Sequence, residues 1–188
     1  MKKGLLFLYT LLILLLISSA ADAKEGFYLG GQIPYNMVRG DFDDKTMSKV
    51  DSGAGIGLIA GYGITSGFSL EIDWAGSSHK LGSSTIGFGE FSLNGKYNFL
   101  DTTKLQPLLF AGIGGFALGD DSLMFGGKGY NLGVGADYYV NPNVSLGVGL
   151  IQKFITYDRV EKNSSPFVLL KNLNGDTTSI RFDISYHF

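Results

Sequence analysis

The stretch S-I-R-F-D-I-S-Y-H-F, residues 179–188, carries the reading of the fold. Ile180, Phe182, Ile184, Tyr186 and Phe188 share one parity, and Ser179, Arg181, Asp183, Ser185 and His187 share the other. Successive side chains of a β-strand point to opposite faces, so the segment is a ribbon with one apolar and one polar, charged side. It closes on the aromatic Phe188.

The same period recurs upstream. Strand one, about 27–37, sets Phe27, Leu29, Ile33, Tyr35 and Met37 on the apolar face. Strand two, about 53–64, carries Ile56, Leu58, Ala60, Tyr62 and Ile64 there, opposite Gly53, Gly55, Gly57, Gly61 and Gly63. Strand three opposes Phe68, Leu70, Ile72 and Trp74 to Ser69, Glu71, Asp73 and Ala75. Strand four opposes Phe91, Leu93, Tyr97 and Phe99 to Glu90, Ser92, Asn94, Lys96 and Asn98. Strand six, about 130–140, alternates Leu132, Val134 and Tyr138 with Asn131, Asp137 and Tyr139. Strand seven opposes Val144, Leu146, Val148 and Leu150 to Ser145, Gly147, Gly149 and Ile151. Strand five, 105–118, is apolar on both parities, and periodicity alone sets no register there. Leu109, Ala111 and Ile113 are expected to face outward.

The connections give a second pattern. Those after strands two, four and six are short, at 65–67, 100–104 and 141–143. Those after strands one, three, five and seven read as longer and more polar, at about 39–52, 76–84, 119–128 and 156–177. Tight turns on one membrane side and long loops on the other are the asymmetry of an antiparallel membrane barrel, and such barrels have even strand numbers. The predicted fold class is all-β, an eight-stranded antiparallel up-and-down transmembrane β-barrel.

The amino end agrees. Lys2 and Lys3 precede an uncharged apolar run over 4–17, followed by Ser18-Ser19-Ala20-Ala21-Asp22-Ala23. A basic start, a short apolar core and small residues at the cleavage spacing predict a secretory signal peptide over 1–23, with Ala20 and Ala21 as alternative sites. The run is short of the roughly 20 residues of a membrane-spanning helix. The remaining 165 of 188 residues, 24–188, suffice for one domain. There is no cysteine, so no disulfide forms and no lipid attaches to a processed amino-terminal cysteine. The net charge of −2 and the lack of a basic cluster argue against nucleic acid as a partner.

Charge position separates a membrane barrel from a soluble one. Glu71, Asp73, Glu90, Lys96, Asp137, Lys153, Arg181 and Asp183 all fall on the polar parity. A lysine or arginine facing lipid at mid-depth costs about 2–4 kcal/mol, so an uncharged outer face is required. A soluble barrel would turn the apolar faces inward, where their large side chains exceed the space of an eight-strand lumen. The polar parity therefore faces the lumen. The glycine face of strand two leaves room there for long side chains from neighbouring strands.

With its amino-terminal signal, eight alternating strands and terminal Phe188, the sequence resembles the small outer-membrane β-barrel proteins of the OmpA, OmpX and Opa type. P-L-L-F-A-G-I-G-G from Pro107 and Y-N-L-G-V-G-A-D-Y-Y-V from Tyr130 resemble that family's central hairpin. The resemblance implies location in the bacterial outer membrane, with outer-membrane lipid around the barrel. It also implies that Tyr186 and Phe188 form an assembly signal read by the barrel-assembly machinery. A chain ending at Phe188 is expected to lack the peptidoglycan-gripping domain of OmpA. Relatives of this kind act as adhesins, anchors, small pores and lipid-modifying enzymes, so the resemblance speaks to architecture more than to activity.

The inward charges are the leading candidate site. Glu71, Asp73, Glu90, Lys96, Asp137, Arg181 and Asp183 are expected to form a lumen network, with Lys96 and Arg181 neutralising Glu71, Glu90 and Asp183. Buried charges persist when paired and hydrogen-bonded, so the structural reading is a plug and the functional one a gated ion path. Ser77, Ser78 and His79 invite a Ser/His hydrolase reading, against which stands a serine-rich surface loop, since adjacency in sequence is not catalytic geometry. His187 is expected to hydrogen-bond near the mouth. No metal-ligand spacing occurs; Asp41, Asp43 and Asp44 lack the other ligands of a calcium loop. The glycine strings at 55–60 and 112–117 sit among strands, outside the βαβ setting of a dinucleotide fingerprint. Arg39-Gly40-Asp41 is short enough to arise by chance. Phe167-Val168-Leu169-Leu170 is either an exposed contact patch or strands seven and eight continuing as a ribbon above the bilayer, the latter preferred. The expectation is thus a non-enzymatic outer-membrane protein with a structural or surface-interaction role and no cofactor. An extracellular ligand, if any, would meet loops 39–52 and 156–177. A lipid-modifying enzyme and a small-solute pore are the alternatives.

Overall fold

The computed structural model describes residues 25–40, 50–162 and 165–188, with the backbone alone for residue 40 and residues 165–172. The expected signal segment 1–23 and most of loop 39–52, including Asp41, Asp43 and Asp44, lie outside the described residues. The strands are β1 (Gly26–Gly40), β2 (Gly53–Gly63), β3 (Phe68–Leu81), β4 (Ser84–Asn98), β5 (Leu105–Gly119), β6 (Leu123–Asn141), β7 (Val144–Lys162) and β8 (Ser165–His187). Each pairs antiparallel with its sequence neighbours, and β8 returns to β1, from Tyr28↔His187 to Gly40↔Gly175, closing the barrel.

Side-chain direction follows the alternation. Ile56, Leu58, Ile72, Trp74, Phe91, Val134, Leu150, Phe182 and Ile184 are exposed on the outer wall. The ambiguous β5 adopts the expected register: Leu109 and Ile113 face out, Leu108, Phe110, Phe116 and Leu118 face in. The glycine face of β2 also has its expected use. A Cβ on Gly61 would land in the ring of Tyr28, and one on Gly53 against the ring of His79.

The loop end differs from expectation. The segments 76–84, 119–128 and 156–177, read as long loops, are mostly strand. β3 and β4 meet across Gly82 and Ser83, where Gly82 takes φ +62°, a left-handed value that glycine adopts without a Cβ clash. β5 and β6 are joined by residues 120–122, with Asp120 Oδ1 accepting from the backbone N–H of Ser122 and Leu123. β7 and β8 run on as a paired ribbon to Lys162↔Ser165, with Phe167 and Val168 opposite Val160 and Arg159 and residues 169–170 within β8 at its register shift. The ribbon reading of that apolar run is the one observed; its side chains lie outside the described ones.

The reason is a change of phase. Below the Trp74–Phe91 pair, the outer face is apolar and the inner face polar. Above it the inner face turns apolar, with Ile86, Phe88, Phe116, Leu118, Ile155 and Tyr157 buried. The outer face there carries Gly76, Ser78, Lys80, Gly87, Gly89, Lys128 and Arg159. Water has replaced lipid outside, so the sheet buries its oil inward as a soluble barrel does. Trp74, Tyr130 and Tyr35 are exposed at or near this change, where interfacial aromatics belong. At the opposite end the tilted rings of Phe27 and Phe188 lie 5.8 Å apart and Tyr97 meets Phe99 at 5.0 Å.

Candidate functional site in the barrel lumen

The lumen is built in three tiers. At the end holding the chain termini, His187 lies between Tyr28 and Tyr139, with ring centroids 5.0 and 5.3 Å away. Its Nε2 is 3.0 Å from Ser145 Oγ. These rings leave a recess of about 20 Å³ bordered by Ser69, Lys96 and Asn98, room for about one water molecule.

The middle tier is ionic. Arg181 Nη1 donates to Glu71 Oε1 at 2.9 Å and to Asp73 Oδ2 at 3.1 Å, while Arg181 Nε lies 3.2 Å from Asp183 Oδ2. Lys96 Nζ reaches Glu71 Oε2 at 3.3 Å and Asp137 Oδ2 at 3.2 Å. Tyr28 Oη donates to Glu71 Oε2 at 3.1 Å, Asn98 Nδ2 to Asp137 Oδ2 at 3.1 Å, and Asn94 Nδ2 to Asp73 Oδ2 at 2.7 Å. Register explains the convergence. Glu71 stands opposite Asn94 across β3–β4, and Asp183 opposite Gly147 across β7–β8, where a Cβ on Gly147 would strike the carboxylate. Each lumen cation also covers an aromatic face: Lys96 over Tyr28, Lys153 over Phe88 and Arg181 over Phe110, at 5.1, 5.5 and 5.2 Å.

Six of the seven expected network members meet in this tier. Glu90 does not join them. It pairs with Lys153, higher in the lumen, and the cations expected to neutralise it, Lys96 and Arg181, are engaged elsewhere. Lys153 on β7 and Glu90 on β4 come from strands that share no ladder, so the pair spans the lumen.

The upper tier is apolar. Val38, Ile86, Phe88, Phe116, Leu118, Ile155 and Tyr157 form one buried cluster, with Val50, Leu81, Phe125 and Leu173 against it. Phe88 and Phe116 stack at 6.1 Å. Burial pushes the Tyr157 phenol above its ordinary range, so it stays neutral. Sequence reasoning missed this tier, although β5, apolar on both parities, was its signal.

Ser77 and His79 sit level with that cluster, opposite Phe88 and Ile86 across β3–β4. They face the lumen and are buried, which corrects the expectation of a serine-rich surface loop: β3 extends through them, and odd positions point inward. His79 Nδ1 is 2.9 Å from the Asp51 carbonyl oxygen, and His79 Nε2 is 2.9 Å from Ser77 Oγ. A carbonyl only accepts, so in the neutral ring Nδ1 carries the proton and Ser77 donates to Nε2. Asn36 Nδ2 donates to Ser77 Oγ at 2.9 Å. The pairing has the donor order of a Ser–His dyad, but His79 is 2% exposed and packed edge-on against Phe88. Its chemistry is that of an anchor, tying the backbone after β1 to the inner wall of β3.

Tyr186 and Phe188 face outward on the terminal strand, their rings 5.0 Å apart. The Phe188 N–H donates to the Phe27 carbonyl oxygen at 3.0 Å, so the last residue extends the β8–β1 seam. Among the described residues no cluster of His, Cys, Asp and Glu has metal-holding geometry.

A family model described as "Outer membrane protein beta-barrel domain" matches residues 8–188. No curated protein matches the sequence. The fold is similar to Neisserial surface protein A (TM-score 0.65, 19% identity, covering 87% of this chain and 98% of that one). It is similar also to OprG from Pseudomonas aeruginosa (TM-score 0.55, 15% identity, 89% and 98%). A third likeness is to Ail, the attachment invasion locus protein of Yersinia pestis (TM-score 0.50, 14% identity, 88% and 100%). At such identities the likeness is one of fold.

Proposed function

Since the chain belongs to the outer membrane protein β-barrel family, we propose that it is a non-enzymatic envelope protein whose closed barrel supports a contact surface at its loop end. The observation that carries this is the lumen: aromatic, ionic and apolar tiers follow one another along it. Filled so by the described residues, the lumen leaves neither a solute path nor room for a substrate at Ser77 in this reading. The contact surface is then the extension of β6, β7 and β8 above the aromatic boundary, together with residues 39–52 and 156–177. In this reading residues 1–23 are a cleaved export signal, and Tyr186 and Phe188 are read by the barrel-assembly machinery.

The test has two arms. Purified chain in planar bilayers is expected to show no steady conductance, and lipid A from cells with and without the gene is expected to be identical by mass spectrometry. Steady conductance would replace this reading with a pore. A change in lipid A acylation lost in His79→Ala would replace it with an enzyme.

A further inference from the structure

Positive and negative charges are unequal in the middle tier. Glu90 and Lys153 are a one-to-one pair. Below them Lys96 and Arg181 face Glu71, Asp73, Asp137 and Asp183, two cations against four carboxylates among the described residues. Arg181 alone is shared by three of them. Buried oxygens also lack hydrogen bonds in the same region, and Arg181 Nε, a donor there, makes none to them. Asp73 Oδ1, Asn94 Oδ1 and Asn131 Oδ1 are buried and have no hydrogen-bond partner among the described residues, while Asn94 Nδ2 donates to Asp73 Oδ2 and Ser92 Oγ. Asp73 is 4% and Asn94 1% exposed.

Buried charge without compensation is costly, and orphaned acceptors add to the cost. Water supplies donors to such oxygens but no charge. A cation supplies charge and takes oxygen lone pairs as ligands. We propose that the lumen binds an alkali-metal cation at Asp73 Oδ1, its shell completed by neighbouring amide oxygen and water. The class follows from the ligands. A calcium site takes 6–8 oxygens with several carboxylates converging on one point, and no three acidic or histidine side chains among the described residues do so. A monovalent ion needs only one carboxylate to balance its charge, and neutral oxygens can fill the rest of its shell. The site goes beyond the closed-support reading and stands whether or not the loop end has a partner.

The experiment uses the full chain refolded in zwitterionic detergent, with thermal unfolding followed by gel mobility. Sodium, potassium and N-methylglucamine chlorides are compared at one ionic strength, the last cation being too large for the site. The midpoint is expected to be higher in sodium or potassium, and to rise with the logarithm of alkali-ion concentration as a bound ligand requires. Asp73→Asn keeps the shape, removes the charge, and is expected to lose most of that dependence. Should this variant not fold, broadening of the sodium NMR resonance by the unmodified chain, reversed by excess potassium, is the second readout. Equal midpoints in all three salts without sodium broadening overturn the proposal. A midpoint that rises on acidification while ignoring alkali ions also overturns it, protons then carrying the missing charge.

Discussion

Gly61 and Tyr28 show how single positions set the lumen. The ring of Tyr28 occupies the volume a side chain at 61 would take, and its hydroxyl reaches Glu71 because of it. Gly61→Val is therefore expected to overpack the tier and cost about 1–3 kcal/mol, read as a lowered urea midpoint of the refolded barrel. Lys153 gives a sharper test. Its partner Glu90 is buried and takes no second cation among the described residues. Lys153→Met is expected to cost about 3–5 kcal/mol by leaving that carboxylate unpaired. Adding Glu90→Gln should recover much of the loss in the same assay. Lys96→Met is expected to cost less, because Asp137 keeps the Asn98 Nδ2 donor and Glu71 keeps Arg181 and Tyr28. An identical loss for both lysine variants would contradict this division. The partner of each cation was not legible in the sequence, because parity gives the face of a residue and not its height around the barrel.

At the scale of elements, the membrane boundary is written in β4 as a change of phase. Leu93 faces outward below the Trp74–Phe91 pair, and Gly89 faces outward above it, with open space beyond its Cα. Leu93→Lys puts a cation into lipid and is expected to cost about 2–4 kcal/mol, against about 0–1 kcal/mol for Gly89→Lys near or above the interface. Equal costs in reversible unfolding from vesicles would place the boundary elsewhere. The same inversion explains the strand ends. An apolar-out pattern becomes apolar-in, so a search for one continuous apolar face stops where the strand does not. The terminal element has its own test. Deletion of Phe188 removes the last hydrogen bond of the seam and the rim ring. Loss of the protein from isolated outer membranes is expected, and normal levels there would show that assembly does not depend on it.

Closure of the whole molecule is redundant, because the tiers rest on unrelated forces. Phe88→Ala should cost about 3–5 kcal/mol for the lost packing. It should still give silent planar-bilayer recordings, since Lys153 loses a ring contact but the Arg181 and Lys96 pairs and the aromatic rings around His187 rest on other side chains. Steady conductance from this single change would mean that the apolar cluster alone holds the lumen shut.

The sequence by itself determined the strand count, the antiparallel order, the lipid-facing positions and the sign of every inward charge. All of these follow from a period of two and from the cost of charge in lipid, which act locally along the chain. It also identified the lumen as the place where charges gather. Tertiary structure alone decided that Lys153 meets Glu90, that His79 holds the Asp51 carbonyl, and that Ile86, Phe88, Phe116 and Leu118 form a stopper. These contacts join strands that share no ladder, or form where the surroundings change from lipid to water. Their geometry comes from barrel closure and from the medium outside the wall, and a repeating pattern in one strand carries neither.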